Sequence, residues 1–216
     1  EAHDLKGKKL GKLKRLDDRG LFEGKIKGAL QPVKYRCTAG THEWWITDPY
    51  SFGPVLGPTD DFLIAEGTHL RLFDKLGAHL IEHEGASGVH FAVWAPNASR
   101  VSVIGDFNHW DGRQNPMRLR PECGVWELFL PHVSEGALYK YELAARDGTL
   151  LPTKADPYAR QSELRPATAS VVAALPNMVA PSPVRQQANA LYAPVSIYEV
   201  HLGSWRRESD GSNNGA

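Results

Sequence analysis

The sequence predicts a mainly β fold. Gly and Pro account for 20 and 15 of the 216 residues, so turn-forming residues recur at short intervals along the chain. The segments between them are short and rich in Val, Tyr, Phe and Trp, which favour strands. Within the clearest segments apolar and polar residues alternate, which is typical of strands that bury one face of a sheet.

The amino-terminal part of the chain contains three predicted strands, at residues 21–26, 33–39 and 42–48. Gly40 lies between the second and the third, so we expect these two strands to form a hairpin. The three strands indicate a β-sheet separate from the one that the middle of the chain predicts.

Residues 59–76 give the clearest helical pattern in the chain. Apolar side chains recur there at helical spacing, at positions 62, 63, 70, 73 and 76. Gly67 is expected to split this helix, and Gly77 is a suitable residue to end it. The segment therefore predicts a helical connector between two β regions.

Four strands are predicted in the middle of the chain, at residues 88–95, 100–105, 124–130 and 138–145. In the third, Trp126, Leu128 and Leu130 share one face while Glu127 lies on the other, and the fourth strand alternates in the same way. We expect each strand to bury one face and to expose the other, including Glu127, to solvent. Together the strands predict a β-sandwich over residues 85–175.

The last part of the chain changes in composition. Residues 176–193 are rich in Pro, Ala, Gln and Ser and are expected to form a linker with a short helical turn near 185–191. An apolar strand is predicted at 195–202, and we find no later segment that could pair with it.

Composition and charge exclude several functional classes. The 25 basic and 25 acidic side chains balance, which argues against nucleic acid or anionic membranes as partners. The chain lacks an apolar run long enough to span a membrane and lacks the pattern of a signal peptide, so we expect a cytoplasmic protein. Its two cysteines form no metal-binding pair, and the His-Glu sequence at 42–43 lacks the second histidine of a zinc site, so no metal is expected.

Two residues are candidates for ligand binding. Trp110 is predicted on a turn, and Lys140 on the solvent face of a strand. An exposed indole can stack on the apolar face of a sugar ring, and a nearby ammonium can donate hydrogen bonds to its hydroxyl groups. Trp126 and Tyr139 are instead expected in the core, because their strand phase places them there.

Several longer strings resemble the amino-terminal half of bacterial 1,4-α-glucan (glycogen) branching enzymes, which are glycoside hydrolase family 13 proteins with a family 48 carbohydrate-binding module. The strings are DPYSFGPVL at 48–56, EGTHLR at 66–71, LGAH at 76–79, FAVWAPNA at 91–98, VIGDFN at 103–108, WDG at 110–112, ADPY at 155–158 and IYEVHLGSWRR at 197–207. The resemblance extends in register over nearly the whole chain.

The resemblance implies two immunoglobulin-like β-sandwich modules in tandem, followed by the first strand of a truncated (β/α)8 barrel. The implied domains are a partial amino-terminal β module at 1–58, a helical connector at 59–84, the family 48 sandwich at 85–175, a linker at 176–193 and the start of the catalytic barrel at 194–216. The family's catalytic carboxylates lie on later barrel strands, so no catalytic residue is expected in this chain, which alone should be inactive.

The implied activity of the whole enzyme is to cut an α-1,4 glucan and to transfer the segment into an α-1,6 branch, with no cofactor. The implied partner is glycogen or an amylose-like chain. Trp110 and Lys140 match a tryptophan and a lysine of the family's sugar-binding site. The place of a second tryptophan holds Thr149 or Leu150, and that of an asparagine lies near Ala169 or Ser170, so weak binding is expected.

Alternatives to this interpretation remain at the level of sequence. Trp110 could pack against the part of the barrel outside this chain instead of binding sugar. The chain could be a stand-alone glucan-binding or regulatory module, or an extracellular adhesion domain. The intact enzyme is expected to be monomeric, and this chain is expected to self-associate through its unpaired final strand.

Overall fold

The structure, a computed structural model, describes residues 1–26, 32–175 and 180–201. Residues 1–175 form one compact unit and residues 176–216 a second. The strands are β1 Ala2–Asp4, β2 Lys9–Gly11, β3 Lys14–Arg15, β4 Phe22–Glu23, β5 Val33–Ala39, β6 His42–Thr47, β7 Gly77–His83, β8 Ala86–Trp94, β9 Arg100–Gly105, β10 Arg118–Arg120, β11 Val125–Pro131, β12 Leu138–Ala144, β13 Gln161–Ser162 and β14 Ser170–Val171. The α-helices are α1 Pro58–Glu66 and α2 Pro183–Ala188, and short 3-10 helices occur at Pro49–Ser51, Leu72–Asp74 and Asp106–Asn108.

The amino-terminal sheet has the strand order β2-β1-β5-β6, with every pair antiparallel. The predicted hairpin of β5 and β6 is confirmed, and Tyr35 pairs with Ile46 in its register. The strand predicted at 21–26 is shorter than expected, because only Phe22–Glu23 pairs, with the two residues of β3.

The helix predicted at 59–76 is divided into shorter elements. Pro58 occupies the first turn of α1, and the Asp60 carboxylate accepts a hydrogen bond from the Gly57 amide at 3.1 Å, which satisfies a free amide at the helix start. Gly67 ends the helix in the left-handed region, with φ +78°. Residues 77–83, which were expected to belong to the helical connector, form strand β7 and pair with β8 along their whole length.

Two antiparallel sheets form the predicted sandwich, with strand orders β10-β11-β8-β7 and β13-β14-β12-β9. Their inner faces meet in one apolar core, where the rings of Phe91 and Tyr139 from opposite sheets lie 5.0 Å apart, edge to face. Trp126 and Tyr139 are both buried, as their strand phase predicts. The molecule is therefore mainly β, with few helices and several antiparallel sheets.

The expectation that Glu127 faces solvent is wrong. Its strand phase does turn it away from the sandwich core, but Glu127 is only 2 % exposed. The residues around α1 cover this outer face, where the Val55 and Leu56 amides donate to its carboxylate at 3.0 and 3.1 Å. The side of this sheet that faces away from the sandwich core is thus also buried.

The second unit contains α2, which starts with Ser182 as its N-cap and overlaps the short helical turn predicted near 185–191. The strand predicted at 195–202 is wrong for the residues that the structure describes, since 195–201 form no strand, and residue 202 lies outside them. Of the helices in the described ranges, none combines the length and apolarity needed to cross a membrane.

Candidate functional site

The turn that follows β9 presents Trp110 at the surface. His109 and Trp110 both adopt left-handed backbone conformations, with φ values of +54° and +60°, and the Trp110 amide donates to the Gly105 carbonyl at 3.0 Å. Such conformations cost on the order of 1–3 kcal/mol each and persist only when the surroundings fix them. The Trp110 side chain is 38 % exposed.

Buried Asn108 fixes this turn. Its carbonyl oxygen accepts from the Gly105 amide at 2.9 Å, and its amide nitrogen donates to the Val103 carbonyl and to the Asn115 side chain at 2.9 and 2.7 Å. Because these bonds tie the turn to the end of β9, Trp110 is held on a rigid support rather than on a free loop.

Lys140 lies on β12 opposite Ile104 and points to the outer face of its sheet, as predicted. Its ammonium donates to the Thr168 hydroxyl at 2.7 Å. Two residues along the same face, Glu142 accepts from Arg100 at 2.7 Å, and Arg100 also donates to the Gly112 carbonyl at 3.0 Å.

The Trp110 turn therefore lies against the same outer face as Lys140. A Cβ atom added to Gly112 would come within 3.0 Å of the Glu142 carboxylate, which shows how closely the turn approaches β12. The structure thus brings the two predicted residues to one surface, where an indole, an ammonium and the Thr168 hydroxyl are available to a polyol. This surface is called the outer face below.

The positions where the resemblance implies further sugar contacts do not supply them. Ala169 and Ser170 are buried, and the Ser170 hydroxyl accepts a hydrogen bond from the Asp156 amide at 2.9 Å. Leu150 is 58 % exposed but carries no aromatic ring. Sequence analysis did not identify Thr168, which lies 28 residues from Lys140 in an irregular segment.

A buried ionic cluster on the other sheet was also missed. The Glu127 carboxylate accepts from His90 at 2.9 Å and from Arg120 at 2.9 Å, and the Arg120 guanidinium forms a two-atom pair with Asp61 at the start of α1. The signal that could have revealed it is the presence of a lone His and a lone Glu within the apolar strands β8 and β11.

Hydrogen bonding keeps the acids of this cluster ionised. Burial by itself raises the pKa of Glu127, but bonds from His90 and the Leu56 amide outweigh it, so the pKa lies below its ordinary value. The hydrogen bond from Arg120 is the main cause of the lowered pKa of Asp61. The cluster connects α1 to the sandwich, because Arg120 bonds both Asp61 of α1 and Glu127 of β11.

A second buried cluster surrounds the ADPY string. The Asp156 carboxylate accepts from the Tyr139 and Tyr141 hydroxyl groups at 2.7 and 3.2 Å. Burial raises the pKa of Asp156 above its ordinary value, although these hydrogen bonds oppose the shift. Within the described ranges, His, Cys, Asp and Glu side chains form no group of three that could hold a metal ion.

Comparison with known proteins adds the family context. Residues 75–159 match the family carbohydrate-binding module 48 (isoamylase N-terminal domain). The chain is 62 % identical over 210 residues to the 1,4-alpha-glucan branching enzyme of Novosphingobium aromaticivorans, which covers 95 % of this chain and 29 % of that enzyme. It is 58 % identical to the enzyme of Mesorhizobium japonicum and 56 % identical to one from Rhizobium etli, each over 98 % of this chain and 29 % of the relative.

The chain thus spans less than a third of the length of these relatives, and the matched part is amino-terminal. The resemblance seen in the sequence is confirmed: residues 75–159 match carbohydrate-binding module 48, and almost the whole chain matches the amino-terminal part of 1,4-alpha-glucan branching enzymes.

Proposed function

We propose that the chain is the glucan-binding amino-terminal part of a 1,4-α-glucan branching enzyme and that Trp110 and Lys140 contact the glucan. The observation that carries the proposal is the placement of both side chains on one outer face of the matched carbohydrate-binding module. A face with one indole and one ammonium suits a neutral polyol, but the ammonium is already bonded to Thr168. The proposed binding is therefore weak.

The proposed binding is tested with Trp110→Ala and maltoheptaose. Loss of one stacking platform is expected to raise the dissociation constant about tenfold, which corresponds to about 1.4 kcal/mol. Isothermal titration measures the change, and Trp94→Ala is the matched control, since Trp94 is an exposed tryptophan on β8 of the opposite sheet. Equal affinity of Trp110→Ala and the parent chain would contradict the role of Trp110.

The proposal assigns the domains as the sequence suggests. Two immunoglobulin-like modules, at 1–58 and 85–175, are joined by residues 59–84, and a linker at 176–193 leads into the start of a catalytic (β/α)8 barrel at 194–216. The supporting observation is that the matched relatives extend well beyond the part that this chain covers. In the whole enzyme, the proposed reaction cuts an α-1,4 glucan and joins the segment through an α-1,6 bond, without a cofactor.

This chain alone is expected to show no branching activity, because the resemblance implies that the family's catalytic carboxylates belong to later barrel strands. Incubation with amylose should leave the number of α-1,6 linkages, counted after debranching, equal to that of a buffer control. A rise in these linkages above the control would show that the chain contains a reaction centre.

We further propose that the protein acts in the bacterial cytoplasm, that the intact enzyme is a monomer, and that this chain self-associates through its last segment. The free thiols of Cys37 and Cys123 support a reducing location. Val195, Ile197 and Tyr198 are 75 %, 87 % and 72 % exposed, and each large apolar side chain left in water forgoes roughly 1.5–3 kcal/mol of burial.

Self-association is tested by deleting residues from Pro194 onward. The shorter chain is expected to sediment as a monomer at a concentration where the longer chain forms larger species. The full-length Ile197→Ser variant serves as the control for chain length and should also shift toward monomer. Identical sedimentation of all three proteins would contradict the proposed role of the segment.

A further inference from the structure

A cleft of about 560 Å³ lies where the amino-terminal sheet meets the sandwich. Side chains from both parts line it, among them Tyr35, Ile46, Tyr50, Phe107, Asn115 and His132. We call it the junction cleft. It is separate from the outer face, since neither Trp110 nor Lys140 lines it.

Hydrogen bonds between the two parts fix the walls of the junction cleft. The Thr47 hydroxyl and the His132 ring nitrogen Nε2 lie 2.9 Å apart, and the Tyr50 hydroxyl donates to the Pro116 carbonyl at 2.9 Å. Arg118 donates to the Phe52 carbonyl at 2.6 Å. Because these bonds join protein groups of the two parts, they give the cleft fixed walls, as binding sites for small molecules usually have.

The chemistry of the walls favours a neutral ligand. No Lys or Arg lines this cleft among the residues that the structure describes. Its one carboxylate, Asp48, is already bonded to the Tyr50 amide at 2.8 Å and to the Tyr35 hydroxyl at 3.3 Å. In contrast, the larger cleft of about 790 Å³ under the β3–β4 hairpin is lined by Lys12, Arg15 and Arg36.

The walls also keep hydrogen-bonding groups for a ligand. The Asn115 carbonyl oxygen is bonded to Asn108, but within the described ranges no partner reaches its amide nitrogen. The exposed Gln114 side chain, which hydrogen-bonds the Asp111 carboxylate, lies beside it on the same wall. Burial raises the pKa of Tyr50 to about 12, so its phenol stays neutral, and its oxygen can accept a hydrogen bond while its O–H donates to the Pro116 carbonyl. Amide donors and phenol acceptors suit hydroxyl groups, which both donate and accept.

An aromatic surface accompanies these polar groups. Tyr50 is 40 % exposed, and Arg118 lies over its ring at 5.7 Å from the centroid. Ile46 is 48 % exposed and adds an apolar wall. An apolar surface can contact the C–H face of a sugar ring, and uncharged polar groups can bind its hydroxyl groups.

We propose that the junction cleft binds a short segment of α-1,4 glucan, as a second subsite beside the outer face. The identity of the sugar rests on the proposed function above, whereas the cleft and its chemistry do not. Six of the thirteen lining residues belong to the range 35–50, which lies outside the matched module at 75–159. The amino-terminal sheet therefore takes part in glucan recognition directly.

The test uses the full chain and maltoheptaose, with binding followed by the backbone amide signals in two-dimensional NMR. In the Trp110→Ala background, signals of residues 46–50 and of Gln114 are expected to shift on titration. Adding Ile46→Arg, which places a bulky cation in the cleft, should raise the dissociation constant there at least about tenfold. Leu119→Arg is the matched control, because Leu119 is 44 % exposed on β10 outside the cleft and its replacement should change nothing.

A second variant distinguishes a loss of binding from a loss of folding. Gln114 is exposed, so Gln114→Ala should leave the amide spectrum otherwise unchanged and weaken binding several-fold. Cellohexaose, with β-1,4 links, is the specificity control and should bind less tightly than maltoheptaose.

The outcomes separate the two proposals. Shifts confined to the Trp110 turn and β12 would leave the proposed function standing and overturn the junction cleft. No shift anywhere in the parent chain would overturn both. Unchanged affinity in Ile46→Arg and Gln114→Ala, or equal affinity for cellohexaose, would overturn the cleft as an α-glucan subsite.

Discussion

Replacing Glu127 by Ala is expected to lower the free energy of unfolding by about 3–5 kcal/mol, because it breaks a buried charge network by removing one partner. The substitution leaves the Arg120 guanidinium and the Val55 and Leu56 amides without the acceptor that they now share. A buried donor without an acceptor retains its full desolvation penalty, with no hydrogen bond to offset it. His90, which is 2 % exposed, loses its partner as well.

Thermal unfolding measures this effect, with an expected loss of about 10 °C in the midpoint for a unit of this size. Glu122→Ala is the control, since Glu122 is exposed in the turn before β11 and should change the midpoint by little. Glu127→Gln keeps the shape and one acceptor oxygen and should fall between the two. A Glu127→Ala midpoint within a degree or two of the parent would show that the cluster contributes nothing.

The same carboxylate gives the stability a defined pH dependence. The pKa of Glu127 is lower in the folded protein than its unfolded value of about 4.3, so its contribution is fully present above that pH. The contribution is lost as the pH falls through the folded pKa, because the folded state then has to take up a proton. Between about pH 5 and pH 2 the parent chain should therefore lose stability more steeply than Glu127→Ala.

Replacing Gly105 by Ala is expected to destabilise the chain by about 1–3 kcal/mol and to weaken binding at the outer face. The backbone of Gly105 is extended, with φ −176°, so the cause is space and not conformation. An added Cβ would lie within 3.0 Å of the Leu138 carbonyl on the neighbouring strand and 2.6 Å from the Phe107 ring. The Gly105 carbonyl accepts the hydrogen bond from the Trp110 amide, so a shift of the Gly105 backbone also displaces the Trp110 turn.

Urea unfolding and maltoheptaose titration measure the two consequences of Gly105→Ala. Gly112→Ala is the comparison: its added Cβ meets the Glu142 carboxylate, the end of a flexible side chain, whereas that of Gly105→Ala meets a backbone carbonyl. A smaller loss of stability is therefore expected for Gly112→Ala. Equal losses, or unchanged sugar binding in Gly105→Ala, would contradict this account of how Trp110 is positioned.

Local patterns predicted the strands well where both ends carry a turn signal. The ranges 33–39 and 100–105 agree with β5 and β9, because alternation and the flanking turns are local properties. The break expected at Gly67 agrees with the end of α1, but the helical pattern at 59–76 was overextended beyond it, because spacing alone does not show that Leu70 is 92 % exposed. The strand at 195–202 failed because apolar content does not provide a strand with a neighbour.

The candidate site was predicted in its parts but not in its connections. Trp110 on a turn and Lys140 on an outward face follow from the sequence, since both depend on local phase. The bond from Lys140 to Thr168, the burial of Glu127 and the junction cleft depend on contacts between residues 28, 71 and 85 positions apart. Single-sequence patterns carry no information about which distant segments meet.

The buried ionic cluster shows that the family boundary and the folding boundary differ. The matched module begins at residue 75, yet Val55, Leu56 and Asp61 supply acceptors and donors to its Glu127 and Arg120. A protein cut at residue 75 would lack α1 and leave Glu127 and Arg120 without part of their hydrogen-bond partners. The buried cluster of this module therefore includes residues from 55 onward, and transfer of the module to another protein requires that this leading segment be transferred with it.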